Sequence, residues 1–161
     1  MTPQYLLDGY NVIYQVPQFL TALEQSLEQG RNALIHFVRS YQAGKRLQMI
    51  IVFDGDQVAY SNSPELTVKG LSILFSQPPE KADPLIKRLI QRNPNKRSLI
   101  LVSSDQELVQ FARQQGVGSI SPMEFYERGS HPPANQTEMD QKYEAEVSEA
   151  DMTEWLKLFG E

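Results

Sequence analysis

The chain has no cysteine among its 161 residues. This excludes disulfide bonds, thiolate metal sites and cysteine nucleophiles, and it fits the reducing cytoplasm, where we expect the protein to reside. No apolar run approaches the ~20 residues of a membrane-spanning helix, so we expect no membrane partner. The amino terminus also lacks a basic segment followed by an apolar one, which is the pattern of a secretory signal.

Bases are scarce toward the carboxyl terminus. Only three of the fifteen Lys and Arg residues lie from position 124 onward, whereas ten of the twenty Asp and Glu residues do. Residues 1–123 therefore carry a small positive net charge, although the whole chain has a formal charge of -5. This asymmetry, together with a hydrophobic fraction of 40%, indicates an ordinary globular domain followed by an acidic tail.

Short apolar runs alternate with helical patterns through the first part of the chain. This alternation predicts an α/β fold, with a mainly parallel central sheet between two helical layers. The predicted strands are the run that ends at Asp8 and residues 47–53, 71–75, 98–102 and 116–120. The predicted helices are residues 19–43, 80–91, 105–115 and a short one after Ser121, with Gly30 as a point where the first helix bends or breaks.

We divide the chain into three parts. Residues 1–127 form the α/β domain, and residues 128–147 are an acidic, polar linker that we expect to be flexible. Residues 148–161 have the pattern of a capped amphipathic helix, whose apolar face either docks on the domain or binds a protein partner.

Three predicted strands end in carboxylates, namely Asp8, Asp54 and Asp105. Glu80 and Asp83 follow a fourth strand. Because the carboxyl ends of parallel strands meet at one edge of a sheet, these acids should lie together and raise one another's pKa unless a cation neutralises them. Oxygen ligands suit Mg²⁺ or Mn²⁺, and the chemistry this favours is metal-assisted attack of water on a phosphodiester.

Each of these acids also has a simpler structural role available. Asp and Asn are common in turns that follow strands. Asp83 precedes Pro84, so it could be the amino-terminal cap of a helix that begins at proline, a role compatible with facing the site. Ser104 or Asp105 could cap the next helix, and Ser103 and Ser104 could instead bind a carboxylate or a phosphate.

The same residues carry a family likeness. Leu-Asp-Gly-Tyr-Asn at 7–11, Val-Phe-Asp-Gly at 52–55, Glu-Lys-Ala-Asp at 80–83 and Ser-Ser-Asp at 103–105 resemble, in this order and spacing, the NYN domains of the PIN-like nuclease superfamily, and in particular their bacterial YacP-like branch. The likeness covers residues 4 to about 127. A departure from the branch is Pro84, where its members often have an acidic or polar residue.

The resemblance implies a PIN-like α/β/α sandwich, a divalent cation and ribonuclease activity. Its core acids would be Asp8, Asp83 and Asp105, and Asp54 would be a further cation ligand. The supporting residues would be Asn11, Glu80 and Ser104. The implied partner is RNA, whether mRNA, rRNA or tRNA, including RNA on the ribosome.

Several bases are candidates for holding that RNA. We select Lys81, Lys45, Arg46 and Arg88, of which Lys81 is nearest the acids in sequence. For the bases from 87 to 97, a solvated helix face explains the pattern as well as phosphate contact does. Tyr10 and Tyr14 could stack on a base, although tyrosines beside a buried strand more often pack at the rim of the core.

Two other functions fit parts of the pattern. One is a non-catalytic RNA- or protein-binding module of the same fold, although clustered acids offer nothing to a mere binder of a polyanion. The other is a phosphatase of the haloacid dehalogenase type, with Asp54 as nucleophile and Asp56 as its acid partner. That motif normally follows the first strand, and it gives no role to Asp8 or Asn11.

Overall fold

A computed structural model of the chain describes residues 3–55, 65–68 and 70–130. Its strands are β1 (Gln4–Asp8), β2 (Gln48–Phe53), β3 (Glu65–Val68), β4 (Leu71–Phe75), β5 (Leu99–Val102) and β6 (Gly118–Ile120). They form one sheet in the order β3-β4-β2-β1-β5-β6. All neighbouring pairs are parallel except β3 with β4, which forms an antiparallel edge.

The sheet centre consists of three almost entirely apolar strands. β1 lies between β2 and β5, with Leu7 opposite Ile51 on one side and Val102 on the other. Strands covered on both faces need continuous apolar sequence, which explains why these runs do not alternate with polar residues. Because β1, β2 and β5 are parallel neighbours, the residues that follow them meet at one edge, here called the carboxyl edge.

Within the described residues, six α-helices cover the two faces of the sheet. They are α1 (Gly9–Gln15), α2 (Pro17–Gln25), α3 (Leu27–Gln42), α4 (Ala82–Arg92), α5 (Gln106–Gln114) and α6 (Pro122–Ser130). One apolar core joins the first three helices and α6 to the sheet, and a second joins α4 and α5 to its other face. The predicted α/β/α sandwich is therefore confirmed. Among the described helices, none has the length and apolar character needed to cross a membrane.

The predicted long helix at residues 19–43 is wrong, because two helices occupy this region. The break falls at Ser26 rather than at Gly30. The Ser26 hydroxyl accepts a hydrogen bond from the Gln29 amide and so caps α3, whereas Gly30 is buried against Leu23. A third helix, α1, occupies the stretch after Asp8, where the sequence pattern predicted no helix. A serine cap thus decided a boundary that the glycine pattern placed elsewhere.

Two further boundaries differ from the prediction. Helix α4 starts at Ala82 with Lys81 at the cap position, so Asp83 is not the cap. Pro84 is then the third helical residue, where no backbone N–H is needed for the helix. Helix α6 runs to Ser130, past the domain boundary predicted at 127, whereas the predicted linker beyond it and the terminal helix lie outside the described residues.

Two glycines permit the close approach of backbones at the carboxyl edge. A Cβ on Gly9 would lie 2.5 Å from the Phe53 ring and 2.9 Å from the Val52 carbonyl oxygen, and one on Gly55 would lie 1.9 Å from the Ser76 carbonyl oxygen. The Gly55 amide also donates to the Ser76 hydroxyl at 3.0 Å. Neither glycine has a positive φ. Each glycine is therefore needed at its position because it has no side chain, and not because of a positive φ.

We expect Gly55→Ala to lower the free energy of unfolding by about 3 kcal/mol, because the new methyl group meets backbone that cannot move aside cheaply. The matched control is Gly44→Ala, where φ is 74° and a Cβ meets nothing within 4 Å. Its cost is backbone strain alone, about 1 kcal/mol. Urea denaturation of both variants tests this, and equal losses would contradict the close-approach role of Gly55.

Candidate active site

Asp8 is the central acid of the carboxyl edge. It is the last residue of β1 and only 8% of it is exposed. The Ser103 hydroxyl donates a hydrogen bond to its Oδ2 at 3.1 Å. Burial, which is the largest cause, and the nearby charges of Asp83, Asp105 and Asp54 together raise the pKa of Asp8 to about 7, against the opposing effect of the Ser103 hydrogen bond. The chain thus places a carboxyl group where its charged form is unfavourable.

Three more acids surround Asp8, each delivered by a different element. Asp54 directly follows β2, Asp83 is the second residue of α4, and Asp105 caps α5 by accepting hydrogen bonds from the Glu107 and Leu108 amides. A cleft of about 310 Å³ opens beside them, lined by Asp8, Tyr10, Tyr14, Asp54, Lys81, Ala82 and Asp83. Asp8, Asp54 and Asp83 are therefore brought together at the cleft, and Asp105 does not line it but lies close enough for its charge to act on Asp8 and Asp83.

Asp83 also has a raised pKa. The first cause is burial and the second is the charge of Asp105, with Glu107 adding to it and Lys87 acting in the opposite direction. Lys87 is itself bound to the Glu107 carboxylate at 2.5 Å. The helix-cap role considered for these acids thus belongs to Asp105, whereas Asp83 turns its carboxyl group toward the site.

A small polar network fixes the loop between β5 and α5 against α1. The Asn11 Oδ1 accepts a hydrogen bond from the Ser104 amide at 2.8 Å, and its Nδ2 donates to the Ser104 hydroxyl at 3.0 Å. Ser103 adds the link to the acids, because its hydroxyl binds Asp8 and also accepts from the Asp105 amide at 3.0 Å. Asn11 and Ser104 act on the loop, and the direct contact to the carboxylate comes from Ser103.

The two tyrosines that line the cleft differ in their contacts and in their exposure to solvent. The Tyr10 ring packs 5.0 Å from that of Phe53, measured between centroids, and its hydroxyl accepts a hydrogen bond from Arg31 at 2.9 Å. Tyr14, one helical turn later, is 55% exposed. Tyr10 is therefore rim packing, and Tyr14 presents the open aromatic surface. Sequence analysis did not identify Arg31, because the hydrophobic periodicity contains no signal that links α3 to Tyr10.

The predicted RNA-binding bases fall in different places. Lys81 lines the cleft, and its Nζ lies 4.0 Å from Asp54 Oδ2. Arg88 is paired with Glu80 on the surface, so Glu80 contacts this arginine and is not among the cleft-lining residues. Lys45 and Arg46 precede β2 and so lie at the opposite edge of the sheet, about 20 Å from Asp54 by strand length. They are therefore outside the cleft.

Comparison with known proteins matches this arrangement to one family. The model of the YacP-like NYN domain matches residues 5–157. The chain belongs to this family. NYN domains are of the PIN-like nuclease type, and the match extends through most of the acidic tail, beyond the limit of about 127 drawn from the motifs.

Individual relatives agree with the assignment of this NYN domain. YacP of Bacillus subtilis (strain 168) is 31% identical over 107 residues, which are 66% of this chain and 62% of YacP. The matched segment therefore spans less than two thirds of that relative. The crystal structure of Rae1 (YacP) from Bacillus subtilis superposes with a TM-score of 0.66 and 25% identity, covering 98% of this chain and 91% of the other. Its W164L mutant gives a TM-score of 0.68, also at 25% identity, and covers 99% and 94%.

The donor set suits a hard divalent cation held loosely. All four acids offer oxygen, and the charges of Asp83, Asp105 and Asp54 all raise the pKa of Asp8, so a bound cation would favour the charged form of this carboxyl group. Within the described ranges, however, no three acidic or histidine side chains converge tightly enough to form a ready-made metal cluster. A cation held by one or two carboxylates, with water completing its shell, fits such a site, and this is the usual mode for Mg²⁺.

The raised pKa of Asp8 predicts an unusual dependence of stability on pH. Between its unfolded value near 3.8 and its folded value of about 7, the folded protein binds more protons than the unfolded chain. Stability from this group is therefore full below pH 4 and is lost as pH rises toward 7. Asp8→Asn removes this loss, so its advantage in the free energy of unfolding should grow by about 2–3 kcal/mol from pH 5 to pH 8.

Urea denaturation in EDTA measures that advantage at both pH values. The control is Glu24→Gln, which removes one negative charge at an exposed position of α2. If Asp8→Asn and Glu24→Gln show the same pH dependence, the electrostatic description of Asp8 is wrong.

Proposed function

We propose that this NYN domain is a divalent-metal-dependent ribonuclease that hydrolyses RNA phosphodiester bonds. The observation that supports it most is the convergence of Asp8, Asp54 and Asp83 on one open cleft. The charge of Asp105, which does not line the cleft, also acts on Asp8. Clustered carboxylates repel a polyanion, so a surface that only bound RNA would not gather them. They become useful when a cation offsets their charge.

Mg²⁺ or Mn²⁺ would be held by Asp8 together with Asp54, Asp83 or Asp105. When bound, such a cation polarises a phosphoryl oxygen and lowers the pKa of water. The core acids Asp8 and Asp105 would orient the water that attacks phosphorus. As the water oxygen bonds to phosphorus, the bond from phosphorus to the leaving RNA oxygen breaks, one of these carboxylates accepts the proton that the water loses, and the leaving oxygen takes a proton from solvent. Asp83 completes the acidic wall of the cleft.

The surrounding residues keep these groups in place. Ser103 fixes one oxygen of Asp8 through its 3.1 Å hydrogen bond, and Asn11 fixes the loop that carries Ser103 and Asp105. Lys81, at the rim, supplies a positive charge for the RNA phosphate. Positioning of this kind contributes to catalysis because small displacements of reacting groups reduce the rate steeply.

RNA is proposed as the substrate class because the family is of the PIN-like nuclease type, whereas the acidic lining of the cleft supports only the more general proposal of cation-assisted phosphodiester hydrolysis. The phosphatase alternative loses its support, because the chain belongs to the YacP-like NYN family, and because Asp8, to which that alternative gives no role, lines the same cleft as Asp54. The remaining alternative is a binding module that retains the fold without turnover, and the same experiment separates the two.

We expect purified protein to cleave labelled single-stranded RNA with Mg²⁺ or Mn²⁺ and to stop when EDTA is added. Asp8→Asn should lower the rate by about a hundredfold or more, as removal of a group that acts on the reacting water does. Glu24→Gln, which removes a distant charge, should keep the full rate. Measurement of product by gel electrophoresis gives all three rates.

Two results would contradict the proposal. Equal cleavage by wild type and Asp8→Asn would show that the acids do not carry the activity. RNA binding without any cleavage, in both metals, would support the binding module.

A further inference from the structure

Three cations lie along the solvent-facing side of α4. Lys81, at the cap position, is followed by Arg88 and Arg92 at separations of seven and four residues, a spacing that places all three on one helical face. The opposite face carries the buried residues Ala82, Ile86 and Ile90. We call the three bases the α4 cation stripe. It starts at the cleft and extends about 16 Å, the length of the helix.

The stripe is separate from the other charges of the same helix. Asp83 and Lys87 lie on the flank toward α5, where Lys87 binds Glu107. Two carboxylates of the described residues pair with the stripe: Asp54 lies 4.0 Å from the Lys81 ammonium at the cleft, and Glu80 is bound to Arg88 in a surface ion pair. The side chain of Arg88 is nevertheless 39% exposed, and Arg92 is exposed. Apart from Glu80, the described charges along this side of α4, from the cleft to Arg92, are therefore positive.

The presence of each of these bases, taken by itself, is explained by its position on a solvent-exposed helix face. Arg92 is in the last turn of α4, where a base offsets the helix dipole, and Arg39 and Arg113 occupy the same position in α3 and α5. This role does not account for the line that joins Arg92 to the cleft through Arg88 and Lys81. The stripe also lies where a long substrate would leave the acids, which by themselves repel it.

We propose that the α4 cation stripe binds the RNA backbone outside the cleavage position, so that the preferred substrate is a strand long enough to reach from the cleft to the end of α4. The inference rests on the proposed function for its choice of RNA. Contacts to phosphate carry no sequence information, so the stripe adds affinity and register without base specificity. Glu80 competes with phosphate for Arg88 and limits that affinity.

Equilibrium binding of the full chain to labelled single-stranded RNA in EDTA tests the stripe. Strands of about 4 and about 16 nucleotides represent the two ends of the usual site size. Arg88→Gln with Arg92→Gln should weaken binding of the long strand about tenfold and leave the short strand unchanged. The slope of log affinity against log salt should become shallower by about 1.4, the value for two lost phosphate contacts.

The matched control is Arg39→Gln with Arg113→Gln, which removes two exposed charges, both from last helical turns, off the stripe. It should leave the long-strand affinity within about twofold of wild type, since it removes no phosphate contact on the stripe. Equal losses in the two double variants, or an equal loss for the short strand, would overturn the proposal. Because binding is measured without metal, absence of cleavage would refute the nuclease function and leave this comparison intact.

Glu80→Gln provides a test of opposite sign. Freeing Arg88 and removing one negative charge should strengthen long-strand binding about threefold, because one more phosphate contact becomes available. Unchanged or weaker binding by this variant would remove Arg88 from the path. Since the substitution is conservative and Glu80 is only partly buried, and since a folding defect would lower the affinity, such a defect does not mimic a gain in affinity.

Discussion

The chemistry of the candidate site depends on the position of one buried carboxylate, that of Asp8. Asp8 stands at the end of the central strand, where apolar neighbours on both sides hold it out of water and three further acids lie close by. Nothing in the apolar core requires a charge there, and its ionisation opposes folding near neutral pH. A proton relieves this electrostatic cost, and so does a cation. The first operates without a metal ion, and the second is the proposed function.

The rest of the carboxyl edge is arranged to keep that carboxylate in register. Gly9 and Gly55 let α1 and the ends of β2 and β4 approach without a side chain between them. Asn11 ties α1 to the loop after β5 through Ser104. These contacts lie among apolar strands, which supply the stability that the charges do not. The charge changes sign along α4, because the carboxyl edge is acidic whereas the α4 cation stripe, which leads away from the cleft, is basic.

Sequence analysis recovered the fold and the acids because both follow from strand periodicity. Parallel strands that end in aspartate must bring those aspartates together, whatever the loops do. It failed where the result depends on a local contact. The helix break falls at Ser26, whereas the glycine pattern placed it at Gly30. The sequence named both Ser103 and Ser104 as possible partners of a carboxylate, and only the structure identifies Ser103 as the one that binds Asp8. Hydrogen bonds between residues distant in sequence, such as that from Arg31 to Tyr10, leave no periodic signal.

The central claim is that the acids of the carboxyl edge share a divalent cation. Paramagnetic broadening by Mn²⁺ in NMR spectra of the whole chain tests it most directly. The account predicts that substoichiometric Mn²⁺ broadens resonances of Asp8, Asp54, Asp83 and Asp105, spares Arg46 at the opposite edge, and has little effect in Asp8→Asn. Broadening that is spread over the surface, or unchanged by Asp8→Asn, would contradict it.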